Sequence, residues 1–277
     1  MPISPTHSNP DPKAFYETVD READYACYPR AEAHPFYPLL RNFIARHGLA
    51  DKSVLEVGCG KGLFQDVASG YVGADIAESL RHYFHKPYHA VAGAHLPFPD
   101  DAFDGAFSYA THEHIPELEI ALEELLRVLK PGAPCLLAPA FHSRPWFASG
   151  LAVRPYDGLS LREKLIKASI PIRDAKPVRY PRVLARQAIH LGLWLVQGRR
   201  PQRLRYGRLK PNYKTYWQSD SDACNSIDPF DLIIWLKGRG ARLESAPSRV
   251  PSILFREEYI EFTKAGQCAA ARKEACS

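Results

Sequence analysis

The sequence predicts an α/β fold: a doubly wound, mostly parallel sheet of seven strands with an inserted helical cap. Three observations predict it. Val54, Leu55 and Val57 form a short apolar run that stops at Gly58, with Gly60 and Gly62 close behind. Buried parallel strands read as such runs, and a glycine turn after one lets backbone approach a ligand. Short apolar runs then alternate with helix-sized segments as far as Pro139, the pattern of βαβ units around a parallel sheet. Finally, Leu118, Leu122, Leu125 and Leu129 recur at spacings of four and three before Pro131-Gly132, which marks an amphipathic helix and its stop.

Taken in order, residues 1–12 are Pro-rich and loose. Residues 15–47 are helical and aromatic, with a second helix over Pro35–His47 stopped by Gly48. Residues 1–50 therefore read as an N-terminal helical lid. It either packs on the sheet edge or lines a substrate pocket through Tyr16, Tyr25 or Tyr28. Strand 53–57 leads to a helix beginning near Lys61 and running to Ser69. Tyr71–Asp75 is the second strand, Ala77–Phe84 the second helix, and Tyr88–Ala92 and Phe103–Tyr109 the next strands. The Glu117–Lys130 helix and strand Cys135–Pro139 complete this part. Residues 142–218 interrupt as an insertion with helices at Leu161–Ser169 and Leu184–Gln197. The main domain, 51–141 and 219–264, then resumes. Asp228 caps a helix with Pro229 at its first position, running to Lys237. Ala241–Ser245 and Ile253–Phe262 are the last strands, and 265–277 is a tail.

The chain has 277 residues, 45% hydrophobic and 24% charged, ordinary globular composition with room for one large domain and an insertion. Six cysteines stand without a CxxC pair, which argues against a disulfide framework or a zinc site and for a reducing, cytoplasmic setting. No signal-peptide pattern opens the chain, and no apolar run approaches the roughly 20 residues that span a bilayer. Net charge is +5, unevenly placed: residues 142–218 hold 17 Lys and Arg against Asp157, Glu163 and Asp174, leaving the remainder acidic. Such asymmetry speaks about partners, not fold.

Three nucleotide loops compete for residues 53–62. An NTPase phosphate loop wants Gly-Lys followed by Ser or Thr, and here Gly62 follows Lys61. A dinucleotide fingerprint wants its third glycine one residue later, where Leu63 stands. Glu56-x-Gly58-x-Gly60-x-Gly62 is neither. It leaves room for a zwitterionic amino-acid tail beside the backbone.

Val-Leu-Glu-Val-Gly-Cys-Gly-Lys-Gly (54–62), Gly-Ala-Asp-Ile (73–76), Leu-Pro-Phe-Pro-Asp-Asp-Ala-Phe-Asp (96–104), Glu-His-Ile (113–115) and Leu-Lys-Pro-Gly (129–132) occur in this order. Over about residues 50–141 the chain resembles a class I S-adenosylmethionine-dependent methyltransferase of the small-molecule and lipid type. The resemblance implies a Rossmann-like fold and S-adenosylmethionine as cofactor. It implies that Gly58, Cys59, Gly60, Lys61 and Gly62 wrap the methionine part, with Glu56 near its amino group. Asp75 would accept from both ribose hydroxyls, and Ile76 would pack on adenine. Relatives usually carry an acid shortly before Leu-Pro-Phe; Val91–His95 holds none, so either backbone near Ala94 and His95 substitutes or adenine is held less specifically. Tyr109 falls beside the cofactor on the same reckoning. No metal is implied.

Methyl transfer asks for in-line alignment at roughly 3 Å and exclusion of water. An oxygen acceptor also asks for a base. Tyr109, His112, Glu113 and His114, clustered after the fourth strand, and His142 after the fifth are the candidates, the three histidines weighed first and each also readable as a structural histidine. Trp217, Asp220 and Asn225 lie in a polar, aromatic stretch suited to a hydroxyl-rich acceptor, or to capping the following helix. The basic insertion is a solvated cap, a peripheral contact with anionic membrane, or a polyanion site. Nucleic acid ranks below lipid, because no stacking pattern accompanies the charges. The expectation is O-methylation of a glycan, lipid-linked or anionic small acceptor, cytoplasmic or at the inner membrane surface. The alternatives are a soluble secondary-metabolite methyltransferase, and a non-catalytic scaffold binding membrane or nucleic acid through 142–218.

Overall fold

The computed structural model describes residues 11–19, 28–197, 201–215, 217–245 and 259–266. Its strands are β1 (Ser53–Val57), β2 (Gly70–Asp75), β3 (Tyr88–Ala90), β4 (Gly105–Tyr109), β5 (Pro134–Ala138), β6 (Gly207–Arg208), β7 (Asn225–Ser226), β8 (Arg242–Ser245) and β9 (Ile260–Thr263). Its helices are α1 (Pro12–Val19), α2 (Tyr37–Arg46), α3 (Leu118–Val128), α4 (Pro145–Ala148), α5 (Leu161–Asp174), α6 (Lys176–Val196) and α7 (Pro229–Gly238).

Seven strands form one sheet in the order β3-β2-β1-β4-β5-β9-β8. β1 pairs in parallel with β2 and β4, as do β2 with β3 and β4 with β5. β9 runs antiparallel to β5 and β8, so the expected doubly wound, mostly parallel sheet is present with one reversed strand. β1 is central because Val54, Leu55 and Val57 are apolar toward both faces, and all three are buried. On one face α3 seats Leu118, Leu122 and Leu125 against the sheet together with Trp235 and Leu236 of α7. On the other, α2 buries Leu40, Phe43 and Ile44 beside Val54 and Phe107. Each such side chain contributes about 1.5–3 kcal/mol of burial. Glu261 of β9, fully buried, ties α2 to the sheet by accepting from Arg46 at 2.6 Å and pairing with His47 at 2.7 Å.

Several local expectations are corrected. No helix runs from Lys61 to Ser69. Gly60 and Gly62 have φ of 49° and 69°, outside helical space, and residues 61–67 close i to i+3 turns such as Gln65 to Gly62. The second helix is a 3-10 turn over Glu78–Tyr83; with β3 starting at Tyr88 there is little chain for an α-helix. β3 ends at Ala90 and β4 starts at Gly105, Phe103 making only an isolated bridge to Leu129. α5 runs five residues further than expected, started by a Ser160–Glu163 capping box. α6 begins eight residues earlier than expected, because Pro177 falls in the first turn, where no N–H is needed. Most of the expected last strand, 253–258, lies outside the described residues. Residues 142–218 contain α4, α5, α6 and β6, and β6 pairs antiparallel with β7.

Candidate active site

The chain visits β1, β2 and β3 on one side and then crosses to β4. This reversal opens a crevice beyond the carboxyl ends of the strands, the usual ligand position in such sheets. A cavity of about 350 Å³ lies there. Its floor is strand ends: Val57, Ala74, Asp75, Ala110 and Thr111. Its walls include Leu80, Val91, Ala92, Gly93 and Ile115, and Tyr16 of α1 lies over it. α1 is held there by Glu17, which accepts from the backbone N–H groups of Glu78 and Ser79 at 2.8 and 2.9 Å.

The glycine loop is shaped for close approach. Gly58 has φ of 76°, and a Cβ there would stand 2.0 Å from the Thr111 hydroxyl oxygen. Gly60 lines the cavity with no protein atom within 4 Å of where its Cβ would be. Ala110, which follows β4, has φ of 47°, the kind of strained backbone that gathers at functional sites. Asp75 ends β2 at the cavity edge. Its carboxylate accepts from Gly60 N–H at 2.9 Å and Ala77 N–H at 3.4 Å. Burial pushes its pKa up against those two amides.

The other wall is electrostatic. His114 lines the cavity, its Nδ1 3.2 Å from Asp222 and its Nε2 3.7 Å from Glu113. Burial pulls the imidazole down, but Asp222, then Glu113 and Asp220, outweigh it and hold it up at about 10. Asp222 falls below its ordinary value, because His114 and the Tyr16 hydroxyl outweigh burial; Tyr16 donates to it at 2.5 Å. Glu113, fully buried, is pushed up to about 7 by burial. Donor atoms of Glu113, His114 and Asp220 lie within 4.8 Å of one another; the His114 proton is the positive charge that these acids share.

Of the expected site residues, Gly58, Gly60, Asp75, Ile76, Tyr16 and His114 line the cavity. The others are placed differently. Glu56 turns away from the cavity and accepts from the buried Tyr71 hydroxyl. Cys59 and Gly62 pack beneath the loop, and Lys61 lies over the Tyr83 ring. Ala92 and Gly93, not Ala94 and His95, bring backbone to the cavity. Tyr109 packs on Phe36 and His34, and Tyr28 on His34. His112 is buried beside Ser108 at 3.1 Å, and burial lowers it to about 4. His142 lies 4.0 Å from Asp228, away from the cavity. Trp217 covers Gly150, and Asn225 donates to the Ile115 carbonyl at 2.6 Å, bracing the His112–His114 turn. Asp220 brings a carboxylate oxygen within 4.8 Å of the facing atoms of Glu113 and His114. Tyr25 lies outside the described residues. Sequence reasoning missed Thr111, whose hydroxyl donates to the Tyr109 carbonyl at 2.8 Å, and Asp222. A Ser-Asp-Ser-Asp run does not reveal which acid faces inward.

The site fits S-adenosylmethionine. The loop at Gly58 and Gly60 leaves backbone bare for the amino-acid end, Asp75 offers a carboxylate to a ribose, and Ile76, Leu80 and Val91 form an apolar slot for a base. Residues 55–137 match the family model described as a methyltransferase domain. A probable S-adenosylmethionine-dependent methyltransferase of Mycolicibacterium smegmatis is 33% identical over 101 residues, 33% of this chain and 39% of that protein. Sterol 24-C-methyltransferase ERG6A of Gibberella zeae is 30% identical over 169 residues, 52% and 41%. A fatty-acid O-methyltransferase of Mycolicibacterium smegmatis is 31% identical over 143 residues, 45% and 51%. The chain thus spans about half or less of the length of each of these relatives. Motifs, sheet topology and the matched residues agree: the chain carries the methyltransferase domain of the class I S-adenosylmethionine-dependent family, and S-adenosylmethionine is its cofactor.

Proposed function

We propose that this protein O-methylates an anionic, lipid-like acceptor, most simply a carboxylate. The observation that carries the reading is His114. It is the one basic side chain among the described residues lining the cavity, whose other charged lining groups are Asp11, Asp75 and Glu117, and the two other candidate histidines stand away from the cavity. S-adenosylmethionine, when bound, supplies an electrophilic methyl group on a sulfonium. The protein's own residues then have three tasks. Gly58, Gly60 and Asp75 position the donor. Tyr16 and the 3-10 turn under α1 keep water from the cavity. His114 orients the acceptor by donating to its oxygen from Nε2, the ring nitrogen turned away from Asp222. An imidazole held protonated up to about pH 10 cannot accept a proton near neutrality. An acceptor that is already ionised needs no base, so a carboxylate suits this wall where a neutral hydroxyl does not.

The named relatives that act on a sterol and a fatty acid support a lipid acceptor. A glycan has less support, because Trp217 and Asn225 stand away from the cavity. A lipid acceptor would be met at a membrane surface, in keeping with the basic insertion; a nucleic-acid partner is not favoured. No helix among the described residues is long and apolar enough to cross a membrane. The test is incubation with S-adenosylmethionine and a panel of long-chain acids, alcohols and sterols, read by mass spectrometry. Methyl esters of the acids are expected. Methylation of alcohols or carbon alone, with the acids untouched, would overturn the carboxylate reading.

A further inference from the structure

Helix α6 is built inside out. Three polar side chains of its middle point toward the body: Arg186 and Gln187 donate to Asp228, and His190 Nδ1 pairs with Asp231 at 2.5 Å. Gln187 is the one buried residue of the helix. A set of its apolar side chains points outward, while Val178, Val183, Leu191 and Trp194 are half-buried. Leu184, Ala188 and Leu195 follow one another at spacings of four and seven, with Ile189 and Val196 seven apart beside them, and all are exposed, Val196 to 86%. α5, packed against α6, does the same with Leu161, Leu165 and Ile172, at spacings of four and seven, Leu161 being 76% exposed. Helical residues at these spacings share a face. Two adjacent helices therefore each present an aliphatic stripe to solvent, which is costly unless something apolar covers it.

The charges around the stripes say what covers them. Arg162, Lys164, Arg173, Lys176 and Arg182 are exposed on the same two helices. The only acids there, Glu163 and Asp174, are engaged by Ser160 and Arg144. Aliphatic stripes bordered by uncompensated cations match an anionic lipid surface, where aliphatic groups enter the headgroup–acyl boundary and cations meet lipid phosphates. Nucleic acid is a poorer match, since it is held by stacking aromatics among cations, and the exposed groups here are aliphatic. Among the described residues that follow α6, Arg203, Arg208 and Lys210 are exposed, while Leu204 is buried with its N–H on Glu119 and Arg208 donates to the Pro116 carbonyl.

We propose that the exposed faces of α5 and α6 dock the protein peripherally on anionic membrane. The inference does not rest on the acceptor chemistry and is tested apart from it. The full chain is floated with vesicles of phosphatidylcholine alone and of phosphatidylcholine mixed with phosphatidylglycerol. It should float with the mixed vesicles only, less so as salt is raised. A Leu165→Ser/Ile172→Ser/Leu195→Ser/Val196→Ser variant should lose flotation. Each of Arg162→Gln, Lys164→Gln, Arg173→Gln and Arg182→Gln should weaken it by about fivefold. Circular dichroism and calorimetry with S-adenosylmethionine should be unchanged throughout, so a failure of docking stays distinct from a failure of the active-site reading. The proposal is overturned if the wild type ignores anionic vesicles, if neither set of changes alters flotation, or if ultracentrifugation shows a dimer that the four serine changes dissociate, which would make a second copy the cover.

Discussion

Asp222 stands 3.2 Å from Nδ1 of His114, and this one approach converts a candidate base into a fixed cation in the cavity wall. The acid arrives from beyond residues 142–218. It also accepts a hydrogen bond from the Tyr16 hydroxyl, so α1, the motif histidine and the returning loop meet at one carboxylate.

The pair has a pH signature. A histidine raised to about 10 binds its proton more tightly folded than unfolded. Its stabilisation is therefore complete below the ordinary value of about 6.5 and is lost as pH rises through about 10. Asp222→Asn should bring the His114 titration down toward neutrality, followed by NMR of the ring protons, and should remove this alkaline loss of Tm. A wild-type His114 that titrates near 6.5 would contradict the pairing.

His114→Gln removes the positive charge while keeping a hydrogen-bonding side chain. Loss of a charged hydrogen bond of about 1.5–3 kcal/mol should lower kcat/KM for a carboxylate acceptor by roughly 10- to 100-fold. Calorimetric affinity for S-adenosylmethionine should hardly move. An equal loss for charged and neutral acceptors would show that His114 serves the fold and not the acceptor.

Asp75→Ala should weaken the cofactor, because it removes the acceptor offered to the ribose and the brace on the Gly60 amide. Two hydrogen bonds at about 1 kcal/mol each correspond to roughly a 30-fold rise in Kd. Asp75→Asn, able to accept but uncharged, should fall between. Calorimetry decides, and unchanged affinity would move the ribose site elsewhere.

Gly58→Ala should be worse than its single methyl suggests. The added Cβ would stand 2.0 Å from the Thr111 hydroxyl oxygen at a φ of 76°. Strain alone costs on the order of 1–2 kcal/mol. The variant should lose most cofactor binding and several degrees of Tm in a thermal melt. A Thr111→Gly/Gly58→Ala double variant should recover part of the loss; no recovery would mean that strain and not the collision dominates.

Leu122→Ala tests the core beneath the site. Leu122 is almost wholly buried between α3 and the sheet, so truncation should cost about 2–5 kcal/mol in denaturant unfolding. A change under 1 kcal/mol would mean that this layer is looser than its packing shows.

Much of the fold was legible in the chain. The strand at 53–57, the turn at Gly58 and the α3 stripe of leucines depend on short-range spacing, because a pleat repeats every two residues and a helix every 3.6. The alternation of strand and helix failed at 61–69, where a helix was expected after the first strand but two left-handed glycines set turns instead.

What the sequence by itself determined is the sheet, the glycine loop and Asp75 at the end of the second strand, since each follows from local backbone preference and from motifs read within one stretch. Only the tertiary structure decided the rest. It turned Glu56 toward Tyr71, withdrew His112 and Asn225 from the cavity, chose Asp222 over Asp220 for His114, and faced the polar side of α6 inward. The physical reason is the same in each case. Which group a polar side chain meets is set by segments that return from far along the chain, such as Tyr16 and Asp222, 206 positions apart. Local periodicity carries no information about that return.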